Sequence, residues 1–438
     1  MQYSLTAPSR LQGTIKLPAS KSISNRALII YALTGGSVMP DNLSDCDDTE
    51  VIVRALQENP YEIDIMAAGT AMRFMTAYLA TREGEEHVLT GTERMRHRPI
   101  RVLVDALRLL GADIEYVADE GFPPLRIRGR RLEGGLLEVP GNISSQFISA
   151  LLLIGPVLRD GLTLRLTGDV ISRPYIDLTL WTMREFGADA DWEDFETISV
   201  AAKPYEARPY LIENDWSAAS YWYEMMALSK DEQDEIRLEG LMDGSKQGDS
   251  SVRYIFSLLG VKTHFDTTAP GVPTTVTLRH SGRCVPRLEY DFVNSPDLAQ
   301  TFIVCCAMMG IPFHFRGLST LKIKETDRIE AMKTEMRKMG FVLHDVDGKE
   351  LYWDGERCEP SVEQGIDTYE DHRIALSFAP AAFRQPGLCI RQPQVVSKSY
   401  PHFWDDLEKV GFRVERETHP DPPCEGGGVE SQFKSLRV

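Results

Sequence analysis

The chain has 438 residues, and its 42% hydrophobic and 26% charged residues are typical of soluble globular proteins rather than collagen-like, disordered or disulfide-rich chains. With 48 basic against 65 acidic residues the net charge is −17, which disfavours nucleic acid and anionic membranes as partners. The longest apolar stretches are shorter than the ~20 residues that cross a bilayer, and the N-terminus lacks the pattern of a signal peptide. The seven irregularly spaced cysteines indicate reduced thiols, so we expect a soluble cytoplasmic protein.

One pattern occurs six times along the chain: a short strand-like run, a small polar loop and an apolar helix. The loops are anchored at Ser22, Ala68, Ser145, Ser217, Asp297 and Asp371. Four of the five intervals between these anchors are 72 to 80 residues, and the first is 46. The spacing indicates one structural unit used six times, with a strand pair missing from the first unit.

A second, amphipathic helix follows in each unit, and in five units a glycine marks its end. The predicted stops are Gly111, Gly187, Gly260, Gly340 and Gly411. A glycine just past a helix supplies the left-handed residue that terminates it. In the first unit the helix near Asp48–Gln57 instead runs out at Asn59-Pro60.

The first helices of the units are apolar nearly all round, for example Ala27–Leu33, and are therefore expected inside the domains. The amphipathic second helices, such as Arg173–Phe186 and Glu325–Met339, are expected to line the sheets. Three units per domain give two α/β domains with a hinge near Lys203–Pro209. Beyond about residue 417 the chain has no periodicity, which predicts a flexible tail.

Polar and cationic residues concentrate on the loops at the predicted helix N-termini, where free N–H groups and the helix dipole favour anions. They include Lys21, Arg26, Arg73, Arg98, Gln146, Arg173, Lys324, Glu325, Arg328, His372, Arg373 and Lys398. The spacing of Lys324, Glu325 and Arg328 predicts that they project from one helical face. Taken singly, most of these motifs are more simply a capped helix start or an exposed turn, and only DHR is equally compatible with a binding role. Recurrence at equivalent points of six units favours anion binding.

Several other chemistries lack their motifs. The chain contains no GxxxxGK[ST], GxGxxG or GxSxG sequence, which argues against common nucleotide and hydrolase sites. Its histidines and cysteines form no CxxC or HExxH pattern, so no metal site is predicted.

Nine motifs occur in the order found in the 5-enolpyruvylshikimate-3-phosphate synthase family, and the resemblance covers about residues 5–412. They are KSISNRALIIYAL, AAGTAMR, RMRHRPI, SSQF, SRPYID, SPDLAQT, KETDRI, DHRIA and SKSYPHF. The resemblance implies two inside-out α/β domains of three βαβαββ repeats each, the first repeat being shortened here. The expected domains are 19–208 and 1–18 with 209–417, followed by a flexible tail over 418–438.

This family transfers the enolpyruvyl group of phosphoenolpyruvate to the 5-hydroxyl of shikimate 3-phosphate and releases phosphate. The reaction belongs to the shikimate pathway of chorismate and aromatic amino acid biosynthesis. The resemblance implies that no metal or organic cofactor is needed. We expect a cytoplasmic monomer whose partners are the two small-molecule substrates.

The resemblance also implies roles for individual residues. Shikimate 3-phosphate is expected to contact Lys21, Ser22, Arg26, Ser144, Ser145, Gln146, Ser172, Tyr175, Asp297 and Lys324. Phosphoenolpyruvate is expected to contact Lys21, Gly69, Arg98, Gln146, Arg328, Arg373 and Lys398. The catalytic set is Asp297 as the base, Glu325 as the acid, and Lys21. A carboxyl beside Lys324 and Arg328 should have a lowered pKa, which opposes an acid role for Glu325.

The chain departs from the family at three positions. Ala67 stands where the family usually has Asn, Phe74 where it has Pro, and Thr320 at a position that is often Asn. Two alternatives remain at this point. A UDP-N-acetylglucosamine enolpyruvyl transferase generally has a loop cysteine that RMRHRP lacks, and a catalytically silent anion-binding homologue is suggested by the short first unit.

Overall fold

The computed structural model describes residues 1–269, 271–361 and 365–417, so the tail predicted over 418–438 lies outside the described residues. Two hydrophobic cores organise the chain. The N-terminal core is built from residues 19–212, and the C-terminal core from residues 5–17 and 216–412. The chain therefore passes between the cores twice, near residue 18 and between residues 212 and 216.

Nineteen strands occur in the described residues, most of them short. They are β1 (Gln2–Thr6), β2 (Gln12–Lys16), β3 (Glu62–Asp64), β4 (Glu86–Thr90), β5 (Asp113–Tyr116), β6 (Leu125–Arg128), β7 (Gly135–Pro140), β8 (Leu162–Thr167), β9 (Ala190–Trp192), β10 (Thr197–Val200), β11 (Glu235–Leu241), β12 (Leu259–Phe265), β13 (Thr274–Cys284), β14 (Leu288–Asp291), β15 (Phe313–Arg316), β16 (His344–Val346), β17 (Glu350–Trp353), β18 (Leu388–Arg391) and β19 (Arg413–Glu417).

Thirteen α-helices occur in the same ranges. They are α1 (Lys21–Leu33), α2 (Asp47–Glu58), α3 (Gly69–Ala80), α4 (Glu93–Arg96), α5 (Arg101–Leu109), α6 (Ser145–Ile154), α7 (Arg173–Glu185), α8 (Trp216–Leu228), α9 (Val252–Leu258), α10 (Ala299–Met309), α11 (Arg328–Lys338), α12 (His372–Phe378) and α13 (Phe403–Lys409). Among the described residues, none of them has both the length and the apolarity that a membrane span requires.

The sheets repeat one arrangement. Three four-stranded sheets have the orders β3-β4-β6-β5, β7-β8-β10-β9 and β14-β15-β17-β16, each with a parallel first pair and antiparallel remaining pairs. The sheet β12-β13-β11-β2 has the same arrangement, but its first strand is β2, which pairs in parallel with β11. The sheet β18-β1-β19 is completed by β1 from the N-terminus. Both N-terminal strands thus join sheets of the C-terminal core, as the family resemblance implies.

The first unit contributes α1 and α2 but, within the described residues, no sheet of its own, which confirms that it is shortened. Two other strand-like runs were overestimated. The run before α8 makes only two isolated bridges, Leu211 with Asp41 and Asn214 with Ala19, and the run before α12 only a bridge between Ile366 and Ile390. In the first case β2, from the N-terminal end of the chain, occupies the edge position beside β11. Its backbone satisfies the hydrogen bonds that the run before α8 would otherwise make.

Helix burial and helix ends follow the sequence pattern. The apolar helices α1, α3, α6, α8, α10 and α12 lie in the two cores. All five predicted glycine stops have positive φ, from 83° to 99°. In the first unit Asn59, with φ of 44°, takes the same left-handed role after α2.

The predicted start of α11 is wrong by three residues. Asp327 accepts hydrogen bonds from the backbone N–H groups of Ile329 (3.1 Å) and Glu330 (3.2 Å), so this cap sets the helix start at Arg328. Lys324 and Glu325 therefore precede the helix and do not share a helical face with Arg328.

The predicted hinge, residues 203–209, has no regular secondary structure. Tyr205 and Ile212 still pack in the N-terminal core. The domain bounds at 208 and 209 and the hinge itself stay predictions. The six cysteines within the described ranges carry free thiols.

Candidate active site

A cleft of about 780 Å³ lies where the two cores face each other. Fifteen of the sixteen residues predicted for the site line it. They are Lys21, Ser22, Arg26, Gly69, Arg98, Ser144, Ser145, Gln146, Ser172, Tyr175, Asp297, Lys324, Glu325, Arg328 and Arg373. The sixteenth, Lys398, places its Nζ 3.6 Å from Oε1 of Glu325. Asp48, Thr70 and His372 also line the cleft.

Lys21, the first residue of α1, forms an ion pair with Asp48 in the first turn of α2. Nζ of Lys21 lies 3.2 Å from Oδ2 of Asp48, while the buried Oδ1 of Asp48 has no hydrogen-bond partner in the described residues. Burial opposes the charge of Lys21, but Asp48, together with Cys46 and Glu325, outweighs it and raises the pKa of Lys21 above its usual value. Asp48 was not predicted as a site residue, although a carboxylate at the start of a predicted helix is visible in the sequence.

Arg26 is buried on the same side and contacts only uncharged acceptors. Its guanidinium donates to Oγ1 of Thr179 (2.7 Å), the carbonyl of Ser22 (2.7 Å), Oγ of Ser149 (3.2 Å) and the carbonyl of Tyr175 (3.1 Å). Burial lowers the pKa of Arg26 to about 10, well above neutrality. Its charge therefore remains available to an anion in the cleft.

Phe74 explains part of this geometry. Its ring centroid lies 5.5 Å from Cζ of Arg26, and the ring is buried in α3. Phe74, which departs from the family pattern, thus supports the Arg26 guanidinium by a cation–π contact.

Gly69 begins α3 and lies directly against Arg98. A Cβ at position 69 would be 2.5 Å from Nη1 of Arg98, so only glycine permits this approach. Arg73, grouped with the loop cations from the sequence, lies behind the loop. It donates to the carbonyls of Gly69 (2.9 Å) and Pro99 (3.3 Å) and so fixes the two loops relative to each other.

The serine loops combine capping with exposure to the cleft. Oγ of Ser144 accepts from the backbone N–H of Gln146 (3.3 Å) at the start of α6, and Nε2 of Gln146 donates to Thr70 (3.2 Å). Ser172 precedes α7 with φ of 54°, and its N–H donates to the carbonyl of Val293 in the other half of the molecule (3.1 Å). Ser144 therefore combines an ordinary capping role with a position in the cleft, whereas the side chain of Ser172 makes no capping hydrogen bond.

Arg328 is the centre of the opposite wall, with 2% of its side chain exposed. It contacts Asp371 through Nε (2.7 Å) and Nη2 (3.1 Å), Asp297 through Nη1 (2.8 Å) and Glu325 through Nη2 (2.9 Å). Three carboxylates thus surround one guanidinium. Asp371 also caps α12 by accepting from the N–H of Arg373 (3.0 Å).

Asp297 is surrounded by cations. Its carboxylate lies 3.2 Å from Nζ of Lys324, 2.8 Å from Arg328 and 3.5 Å from Arg373. Burial would raise the pKa of Asp297, but Lys324, Arg373 and Arg328 outweigh it and hold this pKa far below its usual range. Asp297 is therefore ionised and able to accept a proton.

Glu325 is also ionised in this structure. Burial would raise its pKa, but the charges of Lys398, Arg328 and Arg98 hold it well below the usual range. The lowered pKa expected from the sequence is thus present, although the largest charge acting is that of Lys398, and Lys324 pairs with Asp297 instead.

His372 is neutral, which corrects its grouping with the cations. Burial, together with the charges of Lys21 and Arg373, holds its pKa well below the usual value. The side chain is buried, and neither ring nitrogen has a hydrogen-bond partner in the described residues. An uncharged imidazole therefore faces the cleft with free hydrogen-bonding capacity.

Fixed cations from two α/β lobes, together with ionised carboxylates, define a class of enzyme that binds anionic substrates between its domains and moves protons among them. Comparison with known proteins narrows this class. A family model described as EPSP synthase (3-phosphoshikimate 1-carboxyvinyltransferase) matches residues 5–58 and 53–407, and the chain belongs to this family.

Relatives and solved structures agree with this assignment. A Bacteroides fragilis protein named 3-phosphoshikimate 1-carboxyvinyltransferase is 58% identical over 94% of this chain and 99% of its own length. A Colwellia psychrerythraea protein of the same name is 34% identical over 93% and 99%. The solved EPSP synthase of Acinetobacter baumannii has a TM-score of 0.74 at 20% identity over 95% of this chain and 100% of its own, which shows the shared fold.

Proposed function

We propose that the residues of this cleft catalyse the transfer of the enolpyruvyl group from phosphoenolpyruvate to the 5-hydroxyl of shikimate 3-phosphate, with release of phosphate. The observation that carries the proposal is the convergence of cations from both cores on the ionised pair Asp297 and Glu325. Two substrates with two phosphates and two carboxylates need several fixed cations to be held together. Holding them together makes the addition effectively unimolecular.

Shikimate 3-phosphate occupies mainly the wall of the N-terminal core in this proposal. Arg26 supports it because its guanidinium is charged and contacts only neutral acceptors. The serines at the starts of α6 and α7 add hydroxyl donors to the helix N-termini, which favour phosphate oxygens. From the opposite wall, Asp297 and Lys324 reach the same substrate.

Phosphoenolpyruvate lies between Arg98 and Lys21 on one wall and Arg328, Arg373 and Lys398 on the other. The guanidinium groups suit bidentate contacts to carboxylate or phosphate. In the structure, however, Arg328 and Arg373 contact Asp297. Binding of phosphoenolpyruvate therefore requires these arginines to share their donors between Asp297 and the substrate.

Asp297 serves as the base. As the 5-hydroxyl oxygen attacks C2 of phosphoenolpyruvate, its proton passes to the carboxylate of Asp297. A carboxylate with a strongly lowered pKa is a weak base. Substrate anions near Lys324, Arg328 and Arg373 reduce the effect of those cations, raise the pKa of Asp297 and make it a better base.

Glu325 serves as the acid that protonates the C3 methylene, so that a tetrahedral ketal with a methyl group forms. A proton then returns from C3 to Glu325 while phosphate leaves C2, which restores the double bond. Glu325 must gain a proton before the first step. A phosphate beside Lys398 and Arg98 offsets the two charges that lower the pKa of Glu325, so the acid form depends on bound phosphoenolpyruvate.

The direct test is phosphate release from phosphoenolpyruvate in the presence of shikimate 3-phosphate, compared with UDP-N-acetylglucosamine. Phosphate release with shikimate 3-phosphate but not with UDP-N-acetylglucosamine supports the proposal. Release only with the sugar nucleotide would identify the alternative transferase, and binding of shikimate 3-phosphate without any release would identify a silent homologue.

The setting of the enzyme belongs to the same proposal. The reduced thiols expected from the sequence support a cytoplasmic location, and the family resemblance implies that the enzyme, proposed to be a monomer, uses no metal or organic cofactor. Light scattering that gives a mass near the 49.3 kDa of one chain would support the monomer, and twice that mass would refute it.

A further inference from the structure

At the rim of the cleft, Arg94 is one of several side chains that join the two halves of the molecule, beside the Tyr175–Asp249, Ser397–Asp47 and His402–Asp45 contacts. Arg94 lies on α4, whose Met95 packs in the N-terminal core. Its Nη1 donates to the carbonyl of Tyr369 (2.9 Å) and to Oε2 of Glu370 (3.0 Å), and Tyr369 packs against the C-terminal core. Arg94 is not among the residues that line the cleft.

The accepting segment has an unusual backbone. Tyr369 and Glu370 are consecutive non-glycine residues with φ of 53° and 54°, a left-handed conformation that is unfavourable for side-chain-bearing residues. Contacts on its own side hold it there, because the Tyr369 hydroxyl donates to Glu335 of α11 (2.5 Å) and the N–H of Asp371 donates to Thr368 (2.8 Å). The acceptors for Arg94 are thus positioned by the C-terminal core.

Chain connectivity ties this contact to the substrate arginines. Arg94 lies four residues before Arg98, and both follow the same strand β4. Glu370 directly precedes Asp371, which holds Arg328, and Arg373 follows two residues later. Formation of the contact therefore fixes the arginines of one wall relative to those of the other.

We propose that Arg94 is a positioning residue that latches the two walls together over phosphoenolpyruvate. The identity of that substrate rests on the proposed function. When the contact forms, Arg98 and Arg373 reach one ligand at the same time. Without the contact, Arg26 and the serine loops of one wall can still bind shikimate 3-phosphate. The loss of affinity should therefore fall mainly on phosphoenolpyruvate.

The chain offers a matched control. Arg101, three residues after Arg98, makes the same two types of contact with a single residue, Oε1 of Glu120 (2.7 Å) and the carbonyl of Glu120 (3.3 Å). Both pairs are exposed ion pairs, but Arg101 and Glu120 belong to the same half of the molecule. Loss of the control pair removes similar interactions without separating the walls.

The experiment compares Arg94→Ala with Arg101→Ala in the full chain. We expect Arg94→Ala to raise KM for phosphoenolpyruvate about tenfold, as for loss of a charge-assisted hydrogen bond, with a less than about threefold change in kcat and in the dissociation constant of shikimate 3-phosphate. Arg101→Ala should leave all three nearly unchanged. Glu370→Gln keeps the carbonyl contact and should give a smaller rise, and Arg94→Lys should restore part of the wild-type value.

A similar KM in both alanine variants would overturn the latch, as would an equal weakening of both substrates in Arg94→Ala. Small-angle X-ray scattering provides a readout that does not need turnover. With shikimate 3-phosphate and a non-reactive phosphoenolpyruvate analogue, Arg94→Ala should keep a larger radius of gyration than Arg101→Ala. Equal radii would reject the latch, whereas a wild-type chain that closes but releases no phosphate would reject only the proposed function.

Discussion

The two walls of the cleft carry similar numbers of cations but neutralise them differently. On the N-terminal wall Arg26 contacts hydroxyls and carbonyls, and Asp48 is the carboxylate partner of Lys21. On the C-terminal wall Arg328 contacts three carboxylates, and Lys324, Arg373 and Lys398 each approach one. In the proposed function, the first wall is therefore a preformed receptor for an anion. The second wall couples anion binding to the protonation of its own acids.

The largest expected effect breaks the proton chemistry of the second wall. Asp297→Asn keeps the shape of the side chain but removes the base, so turnover should fall by about 10²–10⁴-fold. Binding of shikimate 3-phosphate should weaken far less. Glu289→Gln, an exposed acid on β14, serves as the control. Steady-state kinetics that show more than a tenth of wild-type turnover in Asp297→Asn would reduce Asp297 to a structural role.

A second comparison measures how the two walls hold their arginines. Arg328→Met leaves three carboxylates without their shared partner and should lower the free energy of unfolding by about 3–5 kcal/mol. Arg26→Met leaves only neutral acceptors and should lower it by about 1–3 kcal/mol. Urea denaturation of the two variants tests this contrast. Equal losses of unfolding free energy would show that the two walls hold their arginines in the same way.

The close approach of Gly69 to Arg98 gives a smaller effect confined to one substrate. Gly69→Ala places a Cβ where Nη1 of Arg98 now lies, so the guanidinium must move. Loss of one charge-assisted contact should raise KM for phosphoenolpyruvate about tenfold and leave that for shikimate 3-phosphate nearly unchanged. The melting temperature is the control, because a flexible side-chain end can yield without disturbing the fold. An unchanged KM would show that Arg98 does not contact the substrate from this position.

The pH dependence of stability should be set largely by Asp297 and Glu325 of the C-terminal wall. Asp297 and Glu325 have lowered pKa values in the folded state, so the stability that they contribute is present above their unfolded values and is lost as the pH falls. Below about pH 4 each adds up to about 1.4 kcal/mol per pH unit to the loss. Urea denaturation between pH 5 and 3 should therefore show a shallower slope for Asp297→Asn, and an identical slope would contradict the ion pairs seen here.

Sequence periodicity predicted the features that depend on local structure. The buried helices and the glycines after α5, α7, α9, α11 and α13 follow from side chains within a few residues of each other. Partners distant in the chain were not accessible in this way. The pairing of β2 with β11, the contacts of Arg328 with Asp297 and Asp371, and the neutral state of His372 all depend on contacts between distant parts of the chain.

The candidate site shows the same limit. The motifs located its residues because most of them lie at or near a helix start, where the sequence signal is strong. They did not reveal that Asp327 moves the helix start past Glu325, or that Asp48 pairs with Lys21. Such details depend on which of several nearby carboxylates a cation reaches, and this is decided by packing rather than by spacing.

The contrast between the walls is tested most directly by isothermal titration calorimetry of each substrate alone and of a non-reactive phosphoenolpyruvate analogue added to the complex with shikimate 3-phosphate. A preformed first wall and a carboxylate-occupied second wall predict that shikimate 3-phosphate binds by itself. The analogue alone should bind at least about tenfold more weakly than to the complex, the ratio that a coupling of 1.4 kcal/mol produces. Equal affinity of the analogue for the free enzyme and for the complex would contradict the account.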